Sequence, residues 1–419
     1  MLDIKYIRDN KKEVKEGCAQ KGIKVDIERL LKLDKERLEY LKKLEDLRAE
    51  KNRASKKIAK GSEDKKKIIS EMKKVDKKED NLFRKFSKIE EELNELLFKI
   101  PNLPLKEVPR GISEKDNVVL REIGKKPDFK FKPKSYLEIS ESLDLIDIER
   151  AAKVSGTRFG FIKGELVFLQ IALINLTFDI LTKKGFLPII APSMIRPEMM
   201  EGTGHLSKLD KKEKYFIKKD NLYLAGSSEQ PIVSMHSGET FKEEDLPKRY
   251  LGYSTCFRRE AGSYGRDTKG IFRVHQFDKI EMFSFCIPEK SKSEHELLLS
   301  VEEELMQLLK IPYRVLSICS GDLAFPAAAA YDIEAWLPSE RRYRETHTTF
   351  NDTDFQTRRL NIRYKSKKDN KLYFAHALNG TAFAIGRTLI AIIENYQRKD
   401  GSISIPEVLW KYLDFKEIK

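Results

Sequence analysis

From Ile27 to Ile100 the chain contains one glycine and no proline, and a stretch of that length without breakers has few ways to fold. Leu, Lys, Glu and Arg, all good helix formers, dominate it. In its second half Ile68, Met72, Val75, Leu82, Phe86, Ile89, Leu93 and Leu96 recur at spacings of three, four and seven residues. That is a heptad seam whose one missing core position falls on Glu79. The first half carries a looser one-sided stripe of Leu31, Leu38, Leu41, Leu44, Leu47, Ala54 and Ile58, and Gly61-Ser62 separates the halves. The pattern predicts two helices of about 35 residues, each on the order of 50 Å long. Folded back at Gly61 as an antiparallel coiled-coil hairpin over about residues 27–100, they bury both seams.

Charge is segregated along this hairpin. Thirteen basic residues stand against five acidic ones between Arg48 and Lys78, a net +8 out of +14 for the whole chain, while Glu90, Glu91, Glu92 and Glu95 make the base acidic. Solubility alone does not require such segregation. A surface for a nucleic-acid phosphate backbone does, with Arg53, Lys56, Lys57, Lys60, Lys65, Lys66 and Lys67 as its contacts and an affinity that falls steeply with salt.

Pro101-Asn-Leu-Pro104 ends the second helix, because proline lacks a donor and drives the preceding residue out of the helical region. The expected organisation is an N-terminal unit over 1–104, a polar linker over 105–130 and a body over 131–419. The body mixes helical stretches such as Gly164 to Leu181 with short alternating strands, an α+β pattern. It has neither G-x-x-x-x-G-K-[ST] nor G-x-G-x-x-G, so no P-loop or Rossmann site is indicated. No apolar run approaches the roughly 20 residues that span a bilayer, and the start has no signal-peptide pattern. Cysteines 18, 256, 286 and 319 are too far apart for C-x-x-C pairs, and the six histidines form no H-x₃-H cluster. A soluble, cytoplasmic protein with reduced thiols, no zinc and no membrane partner is expected.

Two segments carry chemistry. Leu251, Tyr253, Thr255 and Phe257 alternate as on a strand, a loop with Gly262, Gly265 and Gly270 follows, and Phe272, Val274, Ile280 and Met282 give a second run. In the resulting hairpin Arg258 and Glu260 share one parity, and Arg273, His275 and Glu281 share another. Two cations and two carboxylates beside a basic loop suit a triphosphate together with a small amine, although a cross-strand ion-pair ladder has the same composition. Near the C-terminus, Leu378 to Gln397 reads as an apolar helix with Arg387 in its middle. A guanidinium among Phe383, Ala384, Ile390 and Ala391 needs a buried carboxylate or a ligand anion, and beside the hairpin a bound phosphate is favoured.

These residues carry a resemblance. The hairpin resembles motif 2 of the class II aminoacyl-tRNA synthetases, Gly386-Arg387 resembles motif 3, and Gly185-Phe-Leu-Pro-Ile-Ile-Ala-Pro192 resembles the motif 1 region. The whole chain is similar to the seryl-tRNA synthetase family through its arm followed by Ile-Pro-Asn-Leu-Pro, Ser227-Ser-Glu-Gln-Pro231, Phe257-Arg-Arg-Glu-Ala-Gly, Asp332-Ile-Glu-Ala-Trp-Leu-Pro338, Asp354-Phe-Gln-Thr-Arg-Arg359 and Leu378-Asn-Gly-Thr381. The fold this implies is an antiparallel coiled-coil arm plus a catalytic domain built on an antiparallel β-sheet flanked by helices.

The resemblance also implies roles. Ser227, Ser228 and Glu229 form the serine-binding turn, with Ser227 where threonine is usual, and Glu281 and Thr381 complete the pocket. Arg258 bridges the serine carboxylate and the α-phosphate, Glu260 accepts from the adenine amine, and Arg387 clamps the γ-phosphate; these three are the catalytic set. Arg259, Val274, His275, Gln276, Phe277, Glu345, Thr346, His347 and Thr348 complete the ATP site, with Glu345 and Thr348 as Mg²⁺ contacts. Glu345-Thr-His-Thr-Thr-Phe-Asn351 departs from the family's usual Glu, aliphatic, Ser-Ser-Cys-Ser-Asn at His347 and Phe350, and Ala329 and Ala330 replace frequent lysines.

The implied activity is a serine–tRNA ligase that joins L-serine, through an adenylate made from ATP, to tRNA(Ser) held by its long variable arm, with selenocysteine tRNA left open. A homodimer is implied by motif 1. Two alternatives remain at this level: an adenylate-forming paralogue that charges a carrier protein, and a non-catalytic nucleic-acid-binding homologue.

Overall fold

The computed structural model describes residues 1–60, 64–206, 210–261 and 269–419. Its contacts divide the chain into two units, Met1–Pro101 and Asn102–Lys419.

The first unit is helical: α1 (Ile4–Asp9), α2 (Lys11–Gln20), α3 (Ile27–Ala59) and α4 (Lys65–Phe98). Asp26 caps α3 by accepting from the Arg29 amide at 2.9 Å. Helices α3 and α4 pack along their length, and Val75 and Leu93 of the heptad seam are buried. Glu79, the charge in that seam, is held by Arg48 at 3.2 Å and Lys51 at 2.8 Å, both from α3. The stripe of α3 differs from expectation at its base, where Leu30 and Leu33 are buried and Leu38 is 40% exposed. There α3 also meets the N-terminal helices, with Arg8 on Asp34 at 3.0 Å, so its apolar face turns toward two neighbours. The turn expected at Gly61-Ser62 and the side chain of Lys65 lie outside the described residues.

The second unit is built on eight strands: β1 (Val118–Ile123), β2 (Leu187–Ile190), β3 (Lys248–Phe257), β4 (Gln276–Cys286), β5 (Tyr313–Ser317), β6 (Ala329–Leu337), β7 (Arg342–Asn351) and β8 (His376–Ala384). They run in the order β1-β5-β6-β7-β8-β4-β3-β2, all antiparallel except the edge pair β2 and β3. Four helices matter for the site: α5 (Glu165–Leu181), α6 (Glu229–Ser234), α7 (Ser291–Leu308) and α8 (Ile385–Asn395). Leu169, Leu173 and Leu176 of α5, Leu298 and Leu305 of α7 and Leu389 and Ile392 of α8 join one buried core with the sheet. Each such side chain contributes about 2 kcal/mol by burial.

Three expectations change. The linker over 105–130 contains β1, which pairs with β5 from Val118↔Ser317 to Ile123↔Tyr313. As an edge strand exposed on both faces it has no burial alternation to announce it. The helix expected from Leu378 is a strand up to Ala384, so Arg387 lies in the first turn of α8. A central strand covered on both faces reads as a continuous apolar run, which periodicity cannot tell from a helix. Finally, against the expectation of no such run, Glu165–Lys184 is long and apolar enough to cross a membrane by length and composition; Gln170, Asn175 and Asp179 break up its apolar sequence.

Candidate active site

The sheet opens where two neighbouring strand pairs lose register. Between β6 and β7, Ile333 pairs with His347 but Glu334 with Glu345, leaving Thr346 extra. Between β4 and β8, Ile280 pairs with Phe383 but Glu281 with Thr381, leaving Ala382 extra. Bulges of this kind re-aim side chains and interrupt pairing. A cavity of about 530 Å³ lies over them, lined among others by Ser227, Glu229, Arg258, Glu260, Arg273, Lys279, Glu345, Thr348, Thr381 and Arg387. That volume suits a small organic ligand with a few polar anchors.

One end of the cavity is a buried acidic pocket. Glu229 accepts from the Gln356 amide at 2.7 Å and contacts His205 at 3.2 Å. Burial would raise its carboxyl, but His205, Gln356 and Lys279 more than offset that and hold it low, at about 2. Ser227 donates to Glu281 at 3.1 Å, and Lys279 forms an ion pair with the same carboxylate. Burial pushes the Glu281 carboxyl up despite Lys279, with Glu229 adding to the rise.

The other end is cationic. Arg387 donates to the Glu345 carboxylate at 2.8 Å and lies over the Phe272 ring, 4.8 Å from its centre. Glu345 remains 48% exposed to the cavity. Partial desolvation raises its carboxyl, and Arg387, with Arg258 and Arg273, brings it below the ordinary value. Arg258 is anchored by the Gly226 carbonyl at 3.2 Å and lies 5.3 Å from the Phe277 ring centre. Glu260 pairs with Arg273 at 2.6 Å. The arrangement can hold an ammonium and hydroxyl at the acidic end and phosphates at the other, with buried residues beneath that strengthen both.

Residues 1–104 match the seryl-tRNA synthetase N-terminal domain family, and residues 214–396 match the class II tRNA synthetase core domain of the G, H, P, S and T group. The serine–tRNA ligase of Thermodesulfovibrio yellowstonii is 41% identical, with both chains covered in full. That of Exiguobacterium sibiricum is 43% identical over all of this chain and 99% of its own. The chain belongs to the seryl-tRNA synthetase family. Among solved structures, the seryl-tRNA synthetase from Pyrococcus horikoshii complexed with ATP matches with a TM-score of 0.91 at 40% identity, covering 100% of this chain and 99% of its own. The cytoplasmic serine–tRNA ligase from Naegleria fowleri in complex with AMP matches with a TM-score of 0.88 at 35% identity and the same coverage.

Of the residues singled out in the sequence, Ser227, Glu229, Arg258, Glu260, Val274, Phe277, Glu345, Thr346, Thr348, Thr381 and Arg387 line this cavity. Glu281 is not among the lining residues; it is buried beneath Ser227 and Lys279, with which it bonds. Ser228 does not reach it and bonds the Gly252 carbonyl at 3.3 Å. Arg259 docks its backbone on Glu213, and His275 turns to the Arg258 carbonyl at 3.0 Å. Gln276 lines an adjoining cleft with Asp278, and His347 is buried behind the strand. The parity reading fails at Glu260, whose φ of 51° places it in a turn beyond β3, and Arg273 and His275 precede β4. The loop glycines Gly262 and Gly265 lie outside the described residues. Sequence reasoning missed His205, Lys279, Gln356 and Asn379. His205 and Lys279 carried no motif signal of their own, and only Gln356, inside the Asp354–Arg359 segment, and Asn379 stood within quoted motifs.

On the arm, Arg53, Lys56, Lys57 and Lys60 are exposed at the end of α3, and Lys66 and Lys67 at the start of α4.

Proposed function

We infer that this chain is a serine–tRNA ligase. The observation that carries the reading is one cavity holding a low-pKa carboxylate, Glu229, and a hydroxyl-bearing wall, Ser227 and Thr381, at one end and Arg258 and Arg387 at the other. Glu229 takes the serine ammonium, and Thr381 with Glu281 takes its hydroxyl. A site built to bond a hydroxyl rejects alanine, because its own polar groups would be left unpaired.

In the first step a serine carboxylate oxygen attacks the α-phosphorus of ATP, forming the acyl-phosphate bond as the bond to pyrophosphate breaks. Arg258 neutralises charge at the α-phosphate and Arg387 at the γ-phosphate. In the second step a 3′-terminal ribose hydroxyl of tRNA attacks the acyl carbon, its proton is lost, and AMP leaves. Glu345 and Thr348 present oxygen donors to the cavity and suit a hard cation arriving with the triphosphate. Bound there, Mg²⁺ would supply further neutralisation of phosphate charge.

The exposed lysines of the N-terminal unit serve as the contact for the variable arm of tRNA(Ser). A homodimer is supported by apolar surface on the edge strand β2 and the outer face of α5, where Ile190 is 81%, Leu187 60% and Phe168 59% exposed. Four free, buried cysteines are consistent with a cytoplasmic location.

The test is pyrophosphate exchange into ATP. It is expected to depend on serine and to fall at least 100-fold in Glu229→Gln. Exchange that is independent of serine, or that survives this change, refutes the reading.

A further inference from the structure

Glu302 of α7 lies outside the cavity lining, fully buried, and neither carboxylate oxygen makes a hydrogen bond of regular geometry among the described residues, the Thr381 amide being its one backbone donor, off the regular geometry. A buried carboxyl so sparsely partnered is costly and calls for a role. Alternation along β8 places Asn379 and Thr381 on the cavity side and Gly380 on the side of α7. A Cβ on Gly380 would stand 3.1 Å from Glu302 Oε1 and 3.0 Å from Thr349 Cγ2, so glycine is what lets Glu302 approach the strand.

That approach coincides with the β8 bulge. Ala382 has no partner on β4, pairing with β7 ends at Gly380, and the backbone around Thr381 has lost its regular ladder. Burial, reinforced by the Glu281 and Asp332 carboxylates, raises the Glu302 carboxyl well above the usual range, while Lys279 and the Thr381 amide pull the other way. A neutral carboxylic acid is both donor and acceptor, which suits a strand with irregular backbone groups. Next to the bulge, His347 packs against Phe383 in a tilted arrangement with ring centres 5.7 Å apart.

We propose that Glu302 is a positioning residue for the amino-acid pocket: from behind β8, through the gap at Gly380, it holds the bulge that aims Thr381 at the substrate hydroxyl. This rests on the serine-activating reading above. It touches neither serine nor ATP.

The test compares serine-dependent with alanine-dependent pyrophosphate exchange in the full chain. Glu302→Leu is expected to lower the serine-over-alanine ratio of kcat/KM at least tenfold through a raised KM for serine, with KM for ATP within twofold of wild type. Glu302→Asp, which draws the carboxyl back by one methylene and is gentler on folding, is expected to lower the ratio at least threefold. Glu302→Gln, which keeps donor and acceptor in place, is expected to stay within threefold. An unchanged ratio in Glu302→Asp overturns the proposal, as does a loss in Glu302→Gln equal to that in Glu302→Leu, or an equal rise in both KM values. Absence of serine-dependent exchange in the wild type refutes the underlying reading instead.

Discussion

At the scale of single residues, burial decides which charges are active and which are structural. His295 on α7 is buried, bonded to the Thr349 hydroxyl at 3.1 Å and stacked on Tyr331, and desolvation pushes its pKa down to about 4. The unfolded imidazole takes up a proton below about pH 6.5, whereas the folded one does so only below about pH 4. Unfolding therefore binds a proton in this window, and stability falls as pH drops through it, by about 3 kcal/mol in all. Urea unfolding from pH 7 to 4 is expected to show a shallower decline in His295→Gln than in wild type; identical slopes would contradict it. Arg258 and Glu229 took their roles from the resemblance of the segments that hold them, whereas Arg387 was legible in the sequence because it is a charge set among apolar neighbours. His205 and Lys279 were not, since His205 reaches Glu229 from a separate segment and Lys279 looked like one more strand lysine until its pairing with Glu281 was seen.

At the scale of elements, the arm was the most readable part, because a heptad seam both forms the helices and pairs them. Its charges run against helix electrostatics in one place. Lys56 and Lys57 sit in the last turn of α3, where cations are favoured, but the sequence of α4 begins Lys65-Lys66-Lys67 with no acidic residue in its first turn and, among the described residues, no side-chain cap from Asp64. Cations at a helix N-terminus are a cost that a bound polyanion removes. Lys56→Glu, Lys57→Glu and Lys60→Glu combined are expected to reduce serine transfer to tRNA more than 100-fold while leaving pyrophosphate exchange within twofold. An equal fall in both would break the division of labour between arm and cavity. The strand β8 was the least readable element, since Leu378 to Phe383 are buried on both faces and only the glycine and the bulge mark the change from helix.

At the scale of the whole molecule, +8 of the +14 net charge lies between Arg48 and Lys78, which leaves the other 388 residues only mildly basic. Salt is accordingly expected to weaken tRNA charging far more than adenylate formation. The apolar edge at β2 belongs to this scale too. Ile190→Glu changes a side chain that is 81% exposed in one chain, so it is expected to leave the thermal midpoint of the isolated chain nearly unchanged but to shift sedimentation from dimer to monomer. A wild-type monomer at micromolar concentration would contradict the dimer. The central claim, that a serine-reading cavity and a basic arm act in one ligase, is tested most directly by incubating the protein with ATP, labelled serine and total tRNA. Serine esterified to a tRNA subset, and no labelling with alanine, is the predicted result; an absence of labelled tRNA despite serine-dependent pyrophosphate exchange would contradict it.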